Sequence, residues 1–255
     1  RALRCLPAKN IIGLSATPDR KDNLTCLLHH SMGQIGYRIE RKPEHTLVSC
    51  LLYEGGKRKE IMTRDGRISM PSMLNMLASD PLRNECIADH MARLFHANRC
   101  MIVLTDRISQ LKALLELLIA REVPSSDMSF YIGTTPAAER ERASQRRIIL
   151  STYCMAKEGL DIPRLDTLIL ATPKGDIVQA SGRVQRKHPD KNVPLIVDVV
   201  DTFSVFERLR WKRWSYYRNE KFVCQSFGIS NADADIHSAP PPHQRSTMRI
   251  FIALL

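Results

Sequence analysis

Cys100-Met101-Ile102-Val103-Leu104 is an unbroken apolar run of strand length. After the polar turn Thr105-Asp106-Arg107 comes Ile108 to Ile119, in which Ile108, Leu111, Leu115 and Leu118 recur at helical spacing and share one face. The pairing of a short apolar run with a helical stripe then repeats. Met128 to Ile132, Ile148 to Ser151, Thr167 to Ala171 and Pro194 to Val200 read as strands, and Pro136 to Gln145 reads as a charged helix. Strands alternating with helices at this spacing predict βαβ units and a parallel sheet. The strands lack a clean apolar–polar alternation, so the sheet is expected to be covered on both faces. The fold class is therefore α/β.

Working outward, residues 10–14 read as a short strand ended by Pro18, which has no N–H to donate. Leu24 to Met32 reads as a helix and Thr46 to Tyr53 as a strongly apolar strand. Glu54 to Met70 is a polar, basic excursion. Its Gly56-Lys57 is no phosphate loop, because the glycine five residues earlier and the following hydroxyl are both missing. Asp80-Pro81 is a helix start, with an N-cap and a proline at the first position, ahead of an apolar stripe running from Leu82 to Phe95. Phe203 to Tyr217 reads as a closing helix whose aromatics pack on the sheet while most of its cations face water. Beyond Gly228 the chain is polar and is expected to be disordered.

Apolar residues make up 44% of the 255, enough to build a packed core, and the formal charge is +11. That excess favours a polyanionic partner, nucleic acid being the commonest, although any basic protein carries the same sign. The seven cysteines are odd in number and none has C-x-x-C spacing. A zinc site or disulfide framework is therefore not expected, and a reducing, intracellular compartment fits. No apolar run approaches the roughly 20 residues needed to span a bilayer, and no membrane role is expected. The chain opens on Arg1, almost at once upstream of a strand, and reads as part of something longer.

The stretch richest in chemistry is Gln179-Ala180-Ser181-Gly182-Arg183-Val184-Gln185-Arg186. On a helix, Arg183 and Arg186 share a face and can address one target. A guanidinium stays charged and presents a fork of donors suited to phosphate. Gly182 removes a side chain where a ligand or another backbone comes close. On these eight residues alone, a basic surface helix is the simpler account.

Three stretches together resemble superfamily 2 helicases. Ser15-Ala16-Thr17 looks like motif III. Ser151-Thr152-Tyr153, with Lys157-Glu158-Gly159-Leu160-Asp161, looks like motif V. Gln179 to Arg186 fits the motif VI pattern Q-x-x-G-R-x-x-R. Leu14 to Asp22, Leu104-Thr105-Asp106-Arg107 as motif IV, and Val197 to Asp201 followed by the Trp- and Tyr-rich helix are similar to the XPB-like branch and to helicases of large DNA viruses. The family's phosphate loop and acidic metal-holding box do not occur in the chain.

The resemblance implies a RecA-like three-layer domain preceded by the last strand of another RecA-like lobe. The implied organisation is the end of a first lobe over 1–45, a connection over 46–80, a second lobe over 81–228 and a tail over 229–255. It implies an ATP-dependent helicase or translocase of nucleic acid, DNA by family analogy, whose ATP and Mg2+ are held mainly by the first lobe. Arg183, Arg186 and Gln179 would serve catalysis, and Gly159, Asp161 and Gly182 would lie at the nucleotide. Thr105, Arg107 and Thr152 would meet the nucleic-acid backbone, and Ser15, Ala16 and Thr17 would couple the lobes. A plain turn cap for Asp161 and a surface role for Arg107 stay open. The alternatives are a non-catalytic nucleic-acid-binding module on the same fold, and a DNA-modifying or remodelling enzyme built on the same motor.

Overall fold

A computed structural model of the chain describes residues 12–14, 25–37, 45–55, 58–157 and 161–229. The chain divides into two units, Arg1–Lys42 and Pro43–Leu255. In the first, α1 (Thr25–Met32) forms where a helix was read, closed by Gly33 at φ +87° donating to the His29 carbonyl. The strand read at residues 10–14 is absent from the described part of it, residues 12–14.

The second unit is built on seven parallel strands. They are β1 (Leu47–Tyr53), β2 (Met101–Thr105), β3 (Met128–Tyr131), β4 (Ile148–Thr152), β5 (Thr167–Leu170), β6 (Leu195–Asp201) and β7 (Val223–Ile229), in the order β3-β4-β2-β5-β6-β1-β7. Its helices are α2 (Met70–Ala78), α3 (Pro81–His96), α4 (Ile108–Ile119), α5 (Ala137–Ser144), α6 (Tyr153–Lys157), α7 (Val178–Val184) and α8 (Val205–Asn219). Helices cover both faces, as the unalternated strands required. On one face Met101, Val103, Leu150 and Val197 meet Ile87 and Met91 of α3 and Leu111 and Leu114 of α4. On the other, Ile102, Leu104, Leu168 and Ile196 meet Tyr153, Ala180, Val184 and Tyr217 of α6, α7 and α8.

Two expectations are corrected. The stretch 46–80 is not a connection, since β1 lies inside the sheet, paired to β6 from Leu47↔Leu195 to Tyr53↔Asp201 and to β7 on its other side. It also holds α2, whose Met73, Leu74 and Leu77 pack with Phe206. The closing strand β7 carries the chain one element past α8, between that helix and the polar tail, where no element had been read. Most of that tail lies outside the described residues.

The N-cap at Asp80 forms as read, its carboxylate accepting the Arg83 N–H at 3.1 Å. The Arg83 and Arg213 side chains are fully buried, against the ordinary rule for arginine. Each meets an aspartate of β6. Arg83 donates to Asp201 through Nε (3.0 Å) and Nη2 (2.8 Å), and Arg213 Nε donates to Asp198 at 2.8 Å. Burial alone would favour the neutral arginine, but the Asp198 carboxylate outweighs it and raises the Arg213 pKa above its ordinary value. Asp198 also accepts from Tyr217 Oη at 3.0 Å. Removing one partner of such a pair leaves a buried charge uncompensated. Arg213→Met is therefore expected to lower unfolding free energy by about 3–5 kcal/mol, read from urea denaturation of the chain.

Candidate nucleotide and nucleic-acid site

All strands run parallel, so every strand's C-terminal tip lies on one edge of the sheet. Strand β2 leads outward to β3 and β5 leads the opposite way to β6, yet β2 and β5 are neighbours. This is a topological switch point, where open α/β sheets form their ligand crevice. The tips that flank it are Thr105 and Ala171, with Thr152 beside Thr105 in register.

The three residues assigned to the nucleic-acid backbone differ sharply in what they have free. Thr152 ends β4 half-buried, just before α6. Thr105 is fully buried, its one hydroxyl proton goes to Gln110 Oε1 at 2.6 Å, and it accepts the Arg107 N–H at 3.1 Å. It has no donor left for a phosphate. Arg107 donates from Nη2 to the Pro71 carbonyl (2.9 Å), from Nη1 to the Asp106 carbonyl (2.9 Å), and from Nε to Asn75 Oδ1. Its guanidinium ties α2 to the turn after β2.

The arginine stretch forms α7, but the helix ends at Val184 and Arg186 lies in the following turn, with its N–H 3.4 Å from the Arg183 carbonyl. Ile177, Ala180, Ser181 and Val184 face the core at helical spacing, and Ser181 Oγ lies 2.6 Å from Tyr216 Oη of α8. That leaves the opposite stripe to Gln179, Gly182, Arg183 and Arg186. Gln179 is exposed and the other three are half-buried.

Gly182 is not packed against another backbone. A Cβ there meets nothing within 4 Å among the described residues, so the space beside it is open as far as they reach. Arg183 has no salt-bridge partner among the described residues, and its Nε is buried without a hydrogen bond. Desolvation pulls its pKa below the ordinary value, and Tyr131 offsets this in part. Arg186 Nη1 lies against Asp161 Oδ1, an ion contact without hydrogen-bond geometry. Asp161 is thus brought to the arginine end of the stripe. Gly159, Ser15, Ala16 and Thr17 lie outside the described residues.

Lys174 and Tyr153 were not singled out in the sequence for roles beside these residues. Lys174 Nζ donates to both Asp106 carboxylate oxygens at 2.9 and 3.1 Å and stands 5.1 Å from the Tyr153 ring centre. The partners lie 68 residues apart in the chain, a separation no local spacing can connect. Among the described residues no group of three or more His, Cys, Asp or Glu could hold a metal, and no helix is long and apolar enough to cross a membrane.

A parallel, doubly covered sheet whose crevice edge carries an arginine helix defines a RecA-like lobe. Residues 83–188 match the helicase conserved C-terminal domain, which supports a superfamily 2 helicase C-terminal lobe. A protein of Acanthamoeba polyphaga mimivirus that carries the name of an ATP-dependent RNA helicase is 30% identical over 89% of this chain and 45% of its own length. A protein of African swine fever virus (isolate Tick/Malawi/Lil 20-1/1983) with the same kind of name is 22% identical, over 83% of this chain and 46% of its own length. The chain thus spans less than half of these relatives. The crystal structure of T4 UvsW shares the fold, with a TM-score of 0.54, 19% identity, and cover of 72% of this chain and 41% of that one.

Because Gly182 is helical and faces open space, Gly182→Ala is expected to leave the thermal unfolding midpoint unchanged or raise stability by up to about 1 kcal/mol. Thr105→Val, which strands Gln110 and the Arg107 N–H, is expected to lose about 1–3 kcal/mol. Differential scanning calorimetry of the two variants reads both.

Proposed function

We propose that this lobe works as the second half of an ATP-dependent helicase or translocase, closing on a nucleotide held chiefly by a first lobe. The observation that carries the reading is Arg183. A half-buried guanidinium with an unbonded Nε and no carboxylate partner among the described residues is a cation without an anion. It shares an outward stripe with a glycine that keeps the space beside it open. A triphosphate supplies both the missing charge and an occupant for that space.

Phosphoryl transfer needs little covalent help from protein and much neutralisation of charge spread over the transferred group. In this reading Arg183 and Arg186 meet the γ-phosphate, Gln179 reaches the nucleotide from the same stripe, and Asp161 orients Arg186. An arginine finger contributes roughly 10³–10⁵ in rate, or about 4–7 kcal/mol of barrier. An exposed ion pair contributes about 0–1 kcal/mol to stability. The two scales separate a catalytic arginine from a surface one. Mg2+ would neutralise phosphate charge from the first lobe, and the described residues of this lobe contain no ligand cluster for it.

The partner strand would be held through its backbone at the tips of β2 and β4. With Thr105 and Arg107 engaged internally, Thr152 is the assigned residue whose side chain remains available there. DNA is the partner favoured by the resemblance to large DNA virus and XPB-like helicases, while the mimivirus and swine fever virus relatives carry RNA helicase names. Competition between DNA and RNA oligonucleotides of one sequence distinguishes them, with DNA expected to win. Backbone binding of either kind should weaken steeply with salt.

In the full-length protein, Arg183→Ala and Arg186→Ala are each expected to reduce ATP hydrolysis by about 10³-fold or more. The unfolding midpoint should move by no more than about 1 kcal/mol in stability. Hydrolysis at the parent rate in either variant would refute the motor and leave a binding module.

A further inference from the structure

The loop that joins β5 to α7 is gripped by four other elements. Ala171 donates its N–H to the Leu104 carbonyl of β2 at 2.8 Å, and its own carbonyl accepts Arg83 Nη1 of α3 at 2.7 Å. The Thr172 hydroxyl oxygen accepts the Asp106 N–H at 2.9 Å, and the Thr172 carbonyl accepts Tyr153 Oη of α6 at 2.7 Å. The Lys174 carbonyl accepts Arg213 Nη1 of α8 at 2.9 Å. Most of these contacts are buried and hold the loop as scaffold.

One contact differs. The Lys174–Asp106 pair lies at the crevice mouth, its side chains 33% and 20% exposed, and it joins the turn after β2 directly to the loop that leads into the arginine helix. The same ammonium sits beside the ring of Tyr153, the residue that follows the β4 tip. A single charge thus bridges both strand tips assigned to nucleic acid and the start of the segment bearing Gln179, Gly182 and Arg183. With both Asp106 oxygens on it, Lys174 is neutralised as a phosphate-binding cation, which argues for positioning over direct contact.

We infer that Lys174, held by Asp106 and Tyr153, is a positioning residue through which a strand bound at the tips of β2 and β4 sets the placement of the arginine helix. The inference rests on the motor reading above and names its coupling element. A partly exposed pair can break and re-form as the tips load and unload, which the buried Arg83 and Arg213 contacts do not permit without leaving a buried charge unpaired. Coupling between two sites is a free energy shared by both, and values corresponding to about 5–150-fold are typical.

The test uses full-length Lys174→Met and Lys174→Arg proteins, with ATP hydrolysis measured without and with a saturating single-stranded oligonucleotide, and with oligonucleotide affinity and unfolding midpoint measured alongside. For Lys174→Met, unstimulated hydrolysis and affinity should stay within about twofold while stimulation by the oligonucleotide falls about tenfold. Lys174→Arg, which keeps the charge, should retain most of the stimulation. Full stimulation in Lys174→Met overturns the inference. So does a variant that unfolds, or that loses basal and stimulated hydrolysis in proportion, because the lysine would then be structural. A parent protein whose hydrolysis no nucleic acid stimulates refutes the motor reading itself, and this inference with it.

Discussion

One strand carries two buried carboxylates, and the lobe is assembled around them. Asp198 and Asp201 are three residues apart on β6, so their side chains leave opposite faces of the sheet. Asp201 receives Arg83 from α3 on one side and Asp198 receives Arg213 from α8 on the other. Buried ion pairs contribute little net stability compared with apolar residues of the same shape, because desolvation offsets most of the attraction. What they do enforce is register. A helix slid by a few ångströms would leave a charge buried and alone, so each layer has one permitted position on the sheet.

Both arginines also reach past their aspartates to carbonyls of the same short loop, Ala171 and Lys174. The two helical layers and strand β6 thus converge on the connection that aims α7. This matters because α7 itself is short, spanning Val178–Val184, and buries only a narrow stripe. A helix of two turns has little intrinsic stability. Its direction comes from the loop before it, from the Ser181–Tyr216 contact beneath it and from Val184 in the core. Rigid support under an open arginine stripe is the arrangement electrostatic catalysis requires, since donors fixed beforehand need no reorganisation as charge develops.

Much of this was legible from residue order alone. The apolar runs gave the strands, the recurrence of βα units gave the parallel sheet, and Asp80-Pro81 marked the start of α3. What escaped was set by long-range pairing. Thr105 reads as an exposed strand-end hydroxyl until Gln110 closes on it one helical turn later. Arg213 reads as one cation among five near α8, and only the sheet places Asp198 beneath it. Met70, Met73, Leu74 and Leu77 did carry a helical period that marks α2, masked by the basic run ahead of them. Gly182 was read as leaving room for a ligand or another backbone, and among the described residues no backbone takes that room.

The arginine stripe also shows why local consistency fails where it does. In the core charge finds charge, Arg83 with Asp201 and Arg213 with Asp198, and at the crevice mouth Lys174 meets Asp106. Arg183 breaks that pattern, lowered in pKa by burial with no described carboxylate to restore it. A lobe selected only for stability would gain by pairing it or by carrying it into water. Departures from otherwise consistent design concentrate at functional sites, where the missing partner is supplied from outside. The same reasoning applies to Gly182, which lowers helix stability relative to alanine by up to about 1 kcal/mol with no contact among the described residues that needs it. In the reading proposed above, an anionic ligand beside these two adjacent residues would supply both the missing charge and an occupant for the missing side chain's space.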